Sequence, residues 1–124
     1  MPNPWGTTEV SEVSEGCHND SASCLRVDNM GPGNGMHMYI WQAFPADYFQ
    51  TLTVWARTLE GTSELNVAPS NEDGRCGEHV AVVTTEWAAI TVDIQSICFE
   101  PLLSSVTVSH GNGSPMLLDD IQYE

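Results

Sequence analysis

In the segment Phe49–Gly61, FQTLTVWARTLEG, the residues Leu52, Val54 and Ala56 alternate with Thr53, Trp55 and Arg57. A period of two is what a half-buried strand imposes, because successive side chains point to opposite faces; a helix would space its apolar face by three and four. The run just before it, Met36–Phe44 (MHMYIWQAF), alternates in the same way. Met36, Met38, Ile40 and Gln42 share one parity, and His37, Tyr39 and Trp41 share the other. Two neighbouring strands with large aromatics on the parity opposite to the aliphatic one predict a β protein with an aromatic platform turned away from its core.

The rest of the chain repeats this pattern. Strands are expected over Thr7–Val13, Ala22–Asn29, Ser63–Ala68, His79–Thr84, Trp87–Ile94, Ser104–Ser109 and Met116–Tyr123. The stretches Gly31–Gly35 (GPGNG) and Pro69–Gly77 (PSNEDGRCG) read as loops, because Gly, Pro and Asn break both helix and sheet. About eight or nine short strands at this spacing, with no amphipathic helix, predict an antiparallel β-sandwich or jelly roll. At 124 residues the chain is one domain over 1–124. No run of 18 apolar residues occurs, so no membrane insertion is expected.

Charge narrows the partners. Against 17 acidic residues stand three cations, Arg26, Arg57 and Arg75, and the net charge is −14. Such a surface repels nucleic acid and anionic membranes, and it is compatible with neutral ligands or calcium. The four cysteines, Cys17, Cys24, Cys76 and Cys98, lack the CxxC spacing of a zinc knuckle. Of three possible connectivities, Cys17–Cys24 and Cys76–Cys98 join partners across one turn or one strand. An even cysteine count and sequons at Asn19 and Asn112 place the chain in an oxidising, extracellular setting. The first residues, MPNPWG, do not read as a secretion signal, so the expectation is a processed chain or one module of a longer one.

Several short motifs then recur in a familiar order. An early Pro4-Trp5 is followed by SCLRV, YIWQAF, LTVWART, a Glu-Trp ahead of ITVDI, and a closing MLLDDIQYE. From Pro4 to Tyr123 the chain resembles the carbohydrate-binding modules of the family 4/9/22 type, which share the galactose-binding-like jelly roll. The resemblance implies a non-catalytic module, often part of a larger secreted enzyme, that binds a polysaccharide or oligosaccharide and often carries a structural calcium. It also implies that Trp87 is a structural core residue and that Asp119 is a calcium ligand. Family members carry a first strand ahead of the Pro-Trp, and here only three residues precede Pro4.

On this reading the ligand-binding residues are Tyr39, Trp41 and Trp55 for stacking, with Gln42, Arg57 and His37 as polar partners. Sugars present C–H faces to aromatic rings and hydroxyls to planar amide or guanidinium groups. Gln42 has the wrong parity to join the rings without a β-bulge. Parity alone leaves open which face is inward. Asp119 and Asp120 are the metal candidates, although adjacent strand residues point to opposite faces. No nucleophile elbow, zinc-protease helix or phosphate loop occurs, so no enzyme is expected. A second reading is a structural or adhesive subunit of an extracellular assembly, in which a neighbour's segment completes the sheet by strand addition.

Overall fold

The computed structural model describes residues 2–71, 74–99 and 101–124, apart from the side chains of Pro2, Ile40 and Trp41. Among the described residues, eleven strands form two sheets in which every pairing is antiparallel. The first sheet runs β1 (Pro2–Trp5), β4 (Gly35–Pro45), β10 (Leu102–Ser109), β6 (Ser63–Asn71) and β7 (Gly74–Arg75), with β8 (Val80–Val83) also paired to β6. The second runs β2 (Glu9–Val13), β3 (Cys24–Asp28), β11 (Met116–Tyr123), β5 (Thr51–Thr58) and β9 (Ala88–Asp93). A single helical turn, α1 (Ile94–Ile97), follows β9; the Asp93 side chain caps it by accepting the Gln95 N–H.

The alternation read from the sequence decides what lies between the sheets. Leu52, Val54 and Ala56 of β5, Val27 of β3 and Leu118 of β11 meet Met36 of β4, Val67 of β6 and Val108 of β10 in one buried cluster. Each of the larger side chains contributes roughly 1.5–3 kcal/mol by leaving water. Tyr123 crosses this interior. Its ring packs edge-on to Phe44 at 4.8 Å, and its hydroxyl donates to the Ser105 carbonyl at 2.6 Å. Burial pushes its pKa far above the ordinary tyrosine value, so the group remains a donor that ties β11 to β10. The cysteines pair as Cys17–Cys24 and Cys76–Cys98, with Cα atoms 5.6 and 4.8 Å apart.

Three expectations are corrected. The strands outnumber eight or nine because Pro2–Trp5 and Gly74–Arg75 pair where a Pro-rich start and a polar loop were expected. β6 runs on to Asn71 through Pro69, whose carbonyl accepts the Cys76 N–H at 2.7 Å. Most consequentially, β4 and β5 are not neighbours. Phe44 and Phe49 both turn inward between them and meet edge-on at 5.2 Å. That contact anchors the connection as a corner between layers, so β4 pairs with β1 and β10 while β5 pairs with β11 and β9.

Candidate functional site

The alternation that sends Met36, Val67, Val106 and Val108 inward sends His37, Ala68, Thr107 and Ser109 to the outer face of the first sheet. Registers align this face in rows across the strands. One row runs Trp5, Gly35, Ser109, Asn66 and Val80. The next holds Asn3, His37, Thr107 and Ala68, and the third Tyr39, Ser105, Ser70 and Arg75. From β1 to β8 is four inter-strand steps, roughly 19 Å at ~4.8 Å each.

Large rings stand along the β1–β4 side. Trp5 and His37 have centroids 4.8 Å apart, and His37 and Tyr39 6.0 Å apart. The Trp5 ring lies against β4 because residue 35 is glycine: a Cβ there would come within 2.8 Å of the indole and 2.4 Å of the Val108 carbonyl. The indole N–H donates to the Gly33 carbonyl at 3.1 Å. His37 Nδ1 lies 2.7 Å from the Thr107 hydroxyl, and burial lowers the imidazole's pKa, which favours the neutral ring. Tyr39 is the most open of the three, at 43 % exposure.

The middle of the face is a floor of small polar side chains. Ser70 and Ser105 share a hydroxyl–hydroxyl bond of 2.5 Å, and Thr107 and Ser109 are also buried. Arg75 reaches back over this floor from β7. Its Nη1 lies 3.5 Å from the Ser109 hydroxyl, and its Nη2 donates to Glu78 at 3.2 Å. A ridge of rings beside hydroxyls and a guanidinium offers stacking and bidentate hydrogen bonding on one surface.

The expected residues divide between the two outer faces. Tyr39 belongs to this ridge; the side chain of Trp41 lies outside the described ones. Gln42 is exposed in the irregular part of β4, where the stretch from Tyr39 to Phe44 faces only Ser105 to Leu103, the kind of shift that Gln42 would need to change face. Trp55 and Arg57 lie on the outer face of the second sheet, on the far side of the sandwich. There the His18 ring stacks on Trp55 at 3.9 Å and 17°, and Trp87 lies 5.4 Å from His18. Trp87, expected in the core, is half-buried and donates its indole N–H to the Gly16 carbonyl at 3.2 Å. The Cys17–Cys24 loop thus closes over Trp55. Arg57 Nε donates to the Thr58 carbonyl at 3.4 Å.

Asp119 and Asp120 fasten the same loop. The Asp119 oxygens accept the His18 and Asp120 main-chain N–H groups at 3.0 and 2.8 Å, and Asp120 Oδ2 lies 2.7 Å from His18 Nδ1. Cys17 Sγ, Cys24 Sγ and an Asp119 oxygen lie within 4.8 Å of one another, but both sulfurs belong to a disulfide. Calcium takes six to eight oxygen ligands. Here the neighbours of the carboxylates are N–H donors and sulfur, so these residues do not fit the calcium expected at this position.

Sequence reasoning missed Trp5, Arg75 and the hydroxyl floor. One signal was available: in SSVTVS, Ser105, Thr107 and Ser109 alternate with Val106 and Val108, which marks a strand with a wholly polar face.

No family model matches the chain, and no curated protein matches its sequence. Solved structures do match. A family 11 carbohydrate-binding module from Clostridium thermocellum, in complex with a β-1,3-1,4-mixed-linked tetrasaccharide, is 9% identical with a TM-score of 0.67, over 99% of this chain and 86% of that one. A family 30 carbohydrate-binding module of a C. thermocellum cellulosomal cellulase is 12% identical at TM-score 0.67, covering 100% and 92%. The CBM22-1 xylan-binding domain of Xyn10C from Paenibacillus barcinonensis is 13% identical at 0.62, covering 99% and 84%. The sandwich therefore has the jelly-roll fold of carbohydrate-binding modules, as the sequence resemblance implied.

Proposed function

We propose that the chain is a non-catalytic carbohydrate-binding module that holds a neutral polysaccharide or oligosaccharide on the outer face of its first sheet. Tyr39 and Trp5 supply stacking surface; His37 and Arg75 supply polar contacts above the buried Ser70–Ser105 pair. The observation that carries this reading is the coincidence, on one outer sheet face, of the Trp5–His37–Tyr39 ridge with a guanidinium set over a buried polar floor. Seventeen acidic residues against three arginines disfavour a polyanionic glycan. Two disulfides favour a secreted module, free or joined to an enzyme. The two segments that could serve as a donated strand, the Pro-rich N-terminus and Thr7–Val13, pair within their own chain, β1 with β4 and β2 with β3, which disfavours strand exchange.

The test is calorimetric titration with a panel of soluble neutral and acidic polysaccharides, run on wild type, Tyr39→Ala, Trp5→Ala and Arg75→Ala. Trp41→Ala extends it to the remaining ring expected from the sequence. Tyr39→Ala is expected to weaken binding at least tenfold while the unfolding midpoint stays put. A wild type that binds no polysaccharide, or a Tyr39→Ala that binds as well as wild type, would sink the proposal.

A further inference from the structure

We infer that the β8 end of this face carries a separate subsite that reads the hydroxyls of one neutral sugar ring, an inference that rests on the carbohydrate-binding reading above. The first row of the face ends at Asn66 and Val80. There Glu64, Asn66, Glu78, Val80 and His110 line a cavity of about 230 Å³. Asn66 is only 2 % exposed; its Oδ1 accepts the His79 N–H at 2.9 Å, and its Nδ2 has no partner among the described residues. A buried amide NH₂ without an acceptor is costly, and a hydroxyl entering the cavity removes that cost.

The other lining groups say what kind of molecule that hydroxyl belongs to. His110 Nδ1 accepts the Gly33 N–H at 3.1 Å, which places the proton of the neutral ring on Nε2 as a second donor. Glu64 and Glu78 bring acceptors, and Val80, 54 % exposed, brings an apolar wall. A carboxylate, sulfate or phosphate would face two carboxylates, and a bare metal ion would face two N–H donors. Adjacent ring hydroxyls, each both donor and acceptor, suit the whole set, with a C–H face against Val80. Arg75 joins the subsite to the rest of the face, since one guanidinium touches Ser109 and Glu78 together.

The experiment titrates wild type, Asn66→Asp, Val80→Trp and Tyr39→Ala with neutral oligosaccharides of the best-binding polysaccharide, from disaccharide to hexasaccharide. Wild-type affinity is expected to rise by about tenfold once the chain is long enough to reach from the ridge to β8. Asn66→Asp, which keeps the acceptor for His79 and replaces the free donor by a carboxylate, should flatten that rise, as should the exposed Val80→Trp by filling the cavity. Should the buried Asn66→Asp not fold, Val80→Trp and the wild-type Asn66 side-chain NH₂ resonances decide; these must shift with the long oligosaccharide. If both variants follow the wild-type curve while Tyr39→Ala is weakened, or if the amide resonances stay still at saturation, the subsite is refuted and the ridge stands. A wild type that binds no oligosaccharide of any length overturns both.

Discussion

Replacing Trp55 by alanine is expected to cost stability and to leave carbohydrate binding intact. The indole lies half-buried on the outer face of the second sheet, stacked on His18 at 3.9 Å. A Trp→Ala change in a core costs about 3–5 kcal/mol. Trp55 covers a surface under one loop, so about half of that applies, roughly 2 kcal/mol. The ring pair adds ~0.5–1.5 kcal/mol beyond area. The sum, about 3 kcal/mol, corresponds to a fall in melting temperature of roughly 10 °C for a chain of this size. The assay is urea unfolding of wild type, Trp55→Ala, His18→Ala and the double variant, with glycan titration of each. The cycle should return a coupling of ~0.5–1.5 kcal/mol between the two rings. Zero coupling, or a Trp55→Ala that keeps its stability and loses the glycan, would show that the loop does not hold the ring as described.

The two disulfides should differ in weight. With sequence separations of 7 and 22 residues, chain-entropy reasoning gives about 2.5 kcal/mol for Cys17–Cys24 and about 3.4 kcal/mol for Cys76–Cys98, readable from paired Cys→Ala variants by denaturant unfolding. Asp119→Ala removes the acceptor of two main-chain N–H groups and should cost about 1.5–3 kcal/mol, whereas EDTA should leave the wild-type melting temperature unmoved; a drop with EDTA and recovery with calcium would contradict the fit described above. Because burial lowers the His37 pKa from 6.5, the folded state binds that proton less readily than the unfolded state. Its contribution is therefore complete above pH 6.5 and is lost as pH falls through the folded value. His37→Gln should flatten this limb of the stability profile measured by thermal unfolding, and an unchanged limb would assign it to other groups.

The alternation of Leu52, Val54 and Ala56 told which side of β5 is core, because burial acts residue by residue along a strand. It could not tell which sheet β5 joins. That depends on the Phe44–Phe49 corner, a contact between two inward side chains with no local signature, and so Tyr39 and Trp55 looked like partners while lying on opposite outer faces. The start of Met116–Tyr123 was legible, since the turn residues of His110–Pro115 stand directly before the apolar Met116–Leu118. Trp5 was legible as an aromatic but not as part of the ridge. Its place depends on the absent Cβ of Gly35 and on pairing with a strand about thirty residues away. Arg75 sat in a stretch of turn-forming residues that propensity reads as loop. Asp119 and Asp120 were legible as paired carboxylates; that their neighbours would be N–H groups of the Cys17–Cys24 loop was not.

The placement of β10 and β11 bears on how the chain is made. These last two strands are central ones: β10 lies between β4 and β6, and β11 between β3 and β5. Neither sheet can close until β10 and β11 have been synthesised, because each joins the two halves of its sheet. At about 5–20 residues per second, β4 waits several seconds for β10 with its hydrogen-bonding edge open. Until both strands have been made, the growing chain passes through a period in which it is most prone to pair with copies of itself. Arrested nascent chains ending before residue 102 should be cleaved rapidly by protease, and chains that include β10 and β11 should not.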